Sequence, residues 1–204
     1  MLRAVGHYFD ADPTVASAPR QVSLALPDLT LALTTDRGVF ARDAVDPGTR
    51  FLLLEAPPPP PRGHLLDLGC GYGPIAVTMA RRSPEATVWA VDVNRRALAL
   101  TAANARAAGA ADVRARSPED VPDDVRFAAI WANPPVRVGK PALHALLSHW
   151  LGRLDDGGRA WLVVHKHLGA DSLVRWLSDE GFPAERRRSR RGYRLLEVEG
   201  RVGR

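Results

Sequence analysis

From residue 64 onward, apolar runs of strand length alternate with amphipathic runs of helix length, and this pattern restricts the fold more than any other feature of the chain. HLLDLG, ATVWAVD, FAAIWAN and RAWLVVH have no regularly polar face. A strand that is apolar on both sides must be covered on both sides. With helices between consecutive strands, that means a mostly parallel sheet coated by helices on each face. PIAVTMARR, RRALALTAANARAAG, KPALHALLSHWLGRL and ADSLVRWLSDEG supply the helices. Gly109 ends the second of them, and Asp155-Asp156-Gly157-Gly158 is expected to close the third. VRAR adds a weak strand. PAERRR and YRLLEVE, joined at SRRG, have no helix between them, so the last strand must run antiparallel. The expected fold class is α/β, a doubly wound seven-stranded sheet.

The first 61 residues follow other rules. QVSLAL and LTLALTT alternate with period two around Pro27-Asp28 and predict a hairpin. Asp46-Pro47-Gly48-Thr49 reads as the start of a short helix. Pro57 to Pro61 then form a stiff spacer. The expected division is an extension over residues 1–61, capping the substrate side, and a main domain over 62–204.

In an open parallel sheet, ligands lie beyond the carboxyl ends of the strands. DLGCGYG, residues 67–73, occupies one such end. Its glycines allow tight turning and close approach of backbone to ligand. Pro74 stands where a nicotinamide-binding loop needs a third small residue. Asp67 suits a cationic or amino-bearing group better than a pyrophosphate. Asp92, ending VWAVD, lies about 20 residues further on, where an acid can accept from ribose hydroxyls; its plainer role would be to cap the following helix. Loop and acid together imply an adenosine-containing cofactor and leave its chemistry open.

Asn133-Pro134-Pro135 ends the strand FAAIWA. Proline at 134 forces Asn133 out of the helical region, and Pro134 has a fixed φ and no N–H. The Asn133 amide oxygen and the Pro134 carbonyl therefore form a rigid pair of acceptors. A planar aromatic amine is a poor nucleophile because its lone pair is delocalised. Two acceptors gripping its N–H bonds draw the nitrogen toward tetrahedral geometry and aim the lone pair. On this reading an aspartate at 133 keeps an acceptor and retains more activity than an alanine.

In this order, DLGCGYG, VDVN and NPP resemble the class I S-adenosylmethionine-dependent methyltransferases that modify amino groups. HYFDADP, GVFARDAVDPGT and WLVVHKHLG are similar to signatures of the "methyltransferase small" family, whose best-known members methylate guanine N2 in ribosomal RNA. The resemblance runs over roughly residues 6–198. It implies a Rossmann-like methyltransferase fold with S-adenosylmethionine as cofactor. Asp67, Gly69, Gly71 and Gly73 would line its methionine part, Asp92 would hold the ribose, and Asn133, which would also border the cofactor, would grip the amine together with Pro134. Where many relatives carry an aromatic residue after N-P-P, this chain has Val136, so Phe40 or Tyr8 would stack on the base. The family's ribosomal enzymes often carry two tandem domains, and this chain has room for one.

The formal charge of +5 favours an anionic partner. Six arginines fall between 186 and 194, and the topology puts their turn on the edge that carries Asn133. Arg190, with Arg137 and Lys166, would meet RNA phosphates there. One cysteine, Cys70, excludes an internal disulfide, and no Cys/His cluster has zinc spacing, so no metal is expected. No apolar run is long enough for a membrane span, and a soluble cytoplasmic monomer or homodimer is expected. The expected function is methylation of an exocyclic amine, guanine N2 of ribosomal RNA foremost. Methylation of adenine or of a glutamine amide, and a non-catalytic RNA-docking module, are the alternatives.

Overall fold

The structure, a computed structural model, describes residues 11–201 apart from the side chains of Arg137 and Leu168. Tyr8 and most of HYFDADP lie outside the described residues. β1 (Arg20–Ala25) and β2 (Thr30–Thr35) pair antiparallel across the turn at Pro27-Asp28. Their alternation is read out directly: Val22, Leu24, Leu31 and Leu33 are buried, while Gln21 and Ser23 face solvent. α1 (Pro47–Glu55) starts where Pro47 supplies a preset φ and Asp46 caps the first turn through the Thr49 amide. The prolines that follow cannot continue it.

The main sheet has strands β3 (Arg62–Leu68), β4 (Glu85–Val91), β5 (Val113–Arg116), β6 (Phe127–Ala132), β7 (Leu154–His165), β8 (Ala184–Arg190) and β9 (Tyr193–Glu199), in the order β5-β4-β3-β6-β7-β9-β8. β3 to β7 are parallel, and β9 runs antiparallel to both β7 and β8. Helices α2 (Pro74–Arg82), α3 (Arg95–Ala107), α4 (Lys140–Leu151) and α5 (Ala170–Asp179) connect the strands. The doubly wound seven-stranded α/β fold is as the sequence predicts.

Successive strand residues feed opposite cores. Leu65, Val88 and Trp131 pack with α1, α2 and the hairpin, and Leu66, Trp89 and Ile130 pack with α4 and α5. Leu24, Leu33, Phe51 and Leu52 of the N-terminal segment share the first core with Leu65, Met79 and Val88.

One element differs from expectation. Residues 155–158 do not close α4, which ends at Leu151; they form the irregular start of β7. The register with β6 slips between Phe127 and Ala129, and Gly158 sits so close to Phe127 that a Cβ would lie 2.8 Å from its carbonyl oxygen. Two aspartates and two glycines read locally as a loop, and the neighbouring strand recruits them as a bulge. The β8–β9 turn carries positive φ at Arg191 (47°) and Gly192 (86°), the backbone a tight hairpin prefers. Its pairings, His165 with Tyr193 and Lys166 N with the Gly192 carbonyl at 2.7 Å, set it beside the carboxyl end of β7.

Candidate active site

The glycine loop turns sharply after β3, with φ of +77° at Gly69, +57° at Gly71 and +89° at Gly73. A Cβ built on Gly69 or Gly71 would meet nothing within 4 Å, so both face open space. One on Gly73 would strike the Thr101 side chain at 2.9 Å, so this glycine lets α2 pack on α3. The loop is tied down from outside. Gly69 N and Cys70 N donate to the Val91 carbonyl, Thr101 Oγ1 donates to the Gly71 carbonyl (2.9 Å), and Asn104 Nδ2 donates to that of Tyr72 (2.8 Å). Sequence reading missed Thr101 and Asn104, because no local pattern marks a helix residue as the anchor of a loop 30 positions away.

Two acids bracket this loop. Asp67 is fully buried; its Oδ2 accepts from Ala76 N at 2.9 Å, and its Oδ1 has no partner among the described residues. Burial, with a smaller push from the Asp92 charge, raises its pKa to about 8. An orphaned, buried carboxylate oxygen at the root of a loop whose glycines face open space suits a cationic group. Asp92 accepts from Gly71 N and Asn94 N, each at 2.9 Å, and burial raises its pKa as well. The cap of α3 is Asn94, whose side chain accepts from Ala97 N, so the capping role considered for Asp92 belongs to its neighbour. The Cys70 thiol is buried, which pushes its pKa up and leaves it unreactive.

At the end of β6, Asn133 is half-buried and donates Nδ2 to Asp46 Oδ2 (2.8 Å) and Thr49 Oγ1 (3.0 Å). Only the NH₂ side of an amide can donate to a carboxylate, so these bonds settle the orientation and turn Oδ1 away from them. No described residue donates to that oxygen. Pro134 O accepts from Val136 N at 2.8 Å around Pro135 (φ −76°, ψ 66°), an inverse γ-turn that holds the carbonyl and leaves its second lone pair. Val136 packs against the core on the α4–α5 face, which explains how the chain tolerates an aliphatic residue there.

The family description "Methyltransferase small domain" matches residues 30–196. The chain belongs to that family. It is 32% identical over 195 residues to an uncharacterized protein, YbxB, of Bacillus subtilis, covering 94% of this chain and 97% of that one. It is 35% identical over 170 residues to the ribosomal RNA small subunit methyltransferase C of Ectopseudomonas mendocina, covering 80% of this chain and 50% of the relative. Among solved structures, the T. thermophilus 16S rRNA N2 G1207 methyltransferase (RsmC), in complex with AdoMet and guanosine, superposes with a TM-score of 0.77 at 27% identity, over 93% of this chain and 52% of that one. The chain thus spans about half the length of these ribosomal RNA methyltransferases.

The cofactor of this methyltransferase small domain is S-adenosylmethionine. Its residues fit that group: the open faces of Gly69 and Gly71 leave room for it, and the orphaned Asp67 oxygen awaits a positive partner. The segment between β2 and α1 crosses above the loop. The Gly38 carbonyl accepts from Asn94 Nδ2 at the end of β4, and Asp46 takes Asn133 at the end of β6, with β3 between. Phe40 lies within this crossing and is 40% exposed. Lys166, Arg190, Arg191, Tyr193 and Arg194 line a cleft of about 160 Å³ at the β8–β9 turn. Arg187 is held by Glu185 (2.7 Å) and the buried Glu197 (2.5 Å), whereas no described carboxylate lies within 4 Å of Lys166, Arg190 or Arg191. The side chain of Arg137, also expected at this edge, lies outside the described residues. Among the described residues, no helix is long and apolar enough to cross a membrane.

Proposed function

We propose that this methyltransferase acts on an exocyclic amino group, guanine N2 of RNA, with ribosomal RNA the foremost substrate. The observation that carries the reading is the fixed amide of Asn133: its nitrogen is engaged by Asp46 and Thr49, so its oxygen is presented as an acceptor beside the Pro134 carbonyl. S-adenosylmethionine, when bound, supplies an electrophilic methyl group. Asn133 Oδ1 and Pro134 O accept the two N–H bonds of the amine and aim its lone pair along the transfer axis. As the nitrogen bonds to carbon it becomes cationic, and both acceptor dipoles already point at that charge. The amine proton turns acidic once the N–C bond has formed and passes to water, so no strong base is needed. Asp67 and the open faces of Gly69 and Gly71 hold the cofactor's amino-acid part, and Asp92 fixes the loop and accepts from the ribose. Gly73 supports the turn by packing against Thr101.

The substrate side follows from the segment carrying Phe40, which caps the cleft and offers its ring to the base. Lys166 and Arg190, with Arg137, take backbone phosphates. A cytoplasmic site of action follows from that substrate. The relatives named for ribosomal RNA support the choice of RNA. The test is transfer of tritiated methyl to fractionated RNA, DNA and protein, followed by digestion of the labelled fraction. N2-methylguanosine as the product is expected; label in protein, or in methyladenosine, rejects the reading.

A further inference from the structure

We propose that Asp46 selects the base, by accepting the ring N–H that lies beside the amine in guanine. The proposal rests on the reading of Asn133 as amine acceptor. Asp46 Oδ2 bonds both Asn133 Nδ2 (2.8 Å) and Thr49 N (3.0 Å), which plants the carboxylate against the amide that grips the amine. Neither bond uses Asp46 Oδ1, which has no partner among the described residues. Asp46 is half-buried, and no described cation lies within 4 Å of it. The ring of Tyr193 stands close by: a Cβ on Gly48 would lie 2.9 Å from Asp46 Oδ2 and 2.6 Å from that ring. Tyr72 and Tyr193 both feel the Asp46 charge, which adds to burial in raising their pKa values. A spare carboxylate oxygen in such a place is an acceptor only.

That polarity separates the candidate amines by sign. In guanine one of the two ring nitrogens flanking the amino-bearing carbon is N1–H, a donor. In adenine and cytosine the corresponding ring nitrogen carries a lone pair, and in a glutamine side chain the neighbour is a carbonyl oxygen. Each of these would set an acceptor against a carboxylate, whereas guanine forms a charge-assisted bond. A site built to bond a donor rejects analogues that lack it far more strongly than a shape filter does.

The probes are guanosine and 2-aminopurine riboside, which share the 2-amino group but differ at N1, where the analogue has a lone pair. Each is titrated into the 204-residue protein loaded with S-adenosylmethionine. Asp46→Asn keeps the helix cap and the bond from Asn133, because one oxygen must still accept from Thr49 N and Asn133 Nδ2; its NH₂ then takes the place of Oδ1. The wild-type protein is expected to prefer guanosine, and Asp46→Asn to cut that preference by about tenfold or more, the scale of a hydrogen bond to a charged group. Asp46→Ser, which also caps a helix, removes the carboxylate and should lower the preference without favouring the analogue. A preference unchanged in both variants overturns the role of Asp46 and leaves the guanine reading standing. Wild-type protein that favours neither nucleoside overturns both.

Discussion

Asn133 and Asp46, 87 residues apart in the chain, are joined by a 2.8 Å bond from amide nitrogen to carboxylate. This bond makes an expectation drawn from sequence depend on pH. An aspartate at 133 keeps an acceptor, but it also sets a second carboxylate where the donating nitrogen stood. Two carboxylates in contact cannot both ionise cheaply, so one of them takes up a proton near neutrality. Asn133→Asp is therefore expected to outdo Asn133→Ala only while that proton is shared between the two acids, and to lose activity as rising pH removes it. Asn133→Ala should lower kcat by about 10²–10³, the scale for losing one preorganised dipole. Its cofactor affinity should hold, and its stability should fall by only about 1 kcal/mol for the missing hydrogen bonds. Single-turnover rates across pH check both: an Asn133→Asp rate that does not fall as pH rises would contradict the like-charge argument.

Gly71 and Gly73 look alike in sequence and should fail differently. At Gly73 an added Cβ strikes Thr101 at 2.9 Å, on top of a φ of +89°. Gly73→Ala should therefore cost about 1–3 kcal/mol of stability, because α2 must move away from α3. At Gly71 the same atom meets nothing within 4 Å, and the φ of +57° costs about 1–2 kcal/mol. Gly71→Ala should fold and lose cofactor affinity, because its Cβ enters the space the ligand needs. Thermal melts with and without S-adenosylmethionine separate the two: the ligand should stabilise Gly73→Ala and do little for Gly71→Ala.

What could be read in advance divides along the same line. Local punctuation marked α2 to the residue, since Gly73-Pro74 starts it and its apolar spacing ends at Arg82. Strand polarity followed from the missing helix between β8 and β9. The glycine loop, Asp92 and Asn133 were legible because each ends an apolar strand. Asp46 and Thr49 were legible as a helix start. Their bonds to Asn133 were not, because a bond across 84 or more positions leaves no local pattern. The bulge at residues 155–158 was misread for the same reason: β6 decides it, and turn-forming residues do not reveal it.

Asp67 should make cofactor binding depend on pH. Its pKa in the folded, ligand-free protein is about 8, above the unfolded value near 4. A carboxyl with a raised folded pKa costs stability as pH climbs from about 4 to about 8, and the cost levels off above that. Binding the ammonium of S-adenosylmethionine favours the ionised form, so a proton must leave Asp67 as the ligand enters. Between pH 6 and 7.5, where that ammonium is charged, affinity should rise by up to about tenfold per pH unit. Calorimetry in buffers of different ionisation enthalpy should show up to one proton released. Asp67→Asn should flatten the dependence. Equal pH slopes in wild type and Asp67→Asn would mean that Asp67 does not meet the cofactor.

The arginines of the β8–β9 hairpin should separate into structural and substrate-binding members. Arg187 forms an ion pair with Glu197 at 2.5 Å, and the Glu197 side chain is only 7% exposed. Removing Arg187 leaves that acid with Arg159 alone, at 3.2 Å. Arg187→Gln should therefore cost about 1 kcal/mol of stability, the upper end for an ion pair that is partly open to water. Its RNA affinity should keep the same salt dependence. Arg190 and Arg191 have no such carboxylate partner among the described residues, and they share a cleft with Lys166. If they meet phosphates, each pairing releases condensed counterions on binding. The double variant Arg190→Gln with Arg191→Gln should lower the slope of log affinity against log salt by about 0.7–0.9 for every phosphate it no longer neutralises, with cofactor affinity unchanged. Filter binding of ribosomal RNA from low to moderate salt measures it. A slope that falls with Arg187→Gln but not with the double variant would move the phosphate-binding surface off this turn.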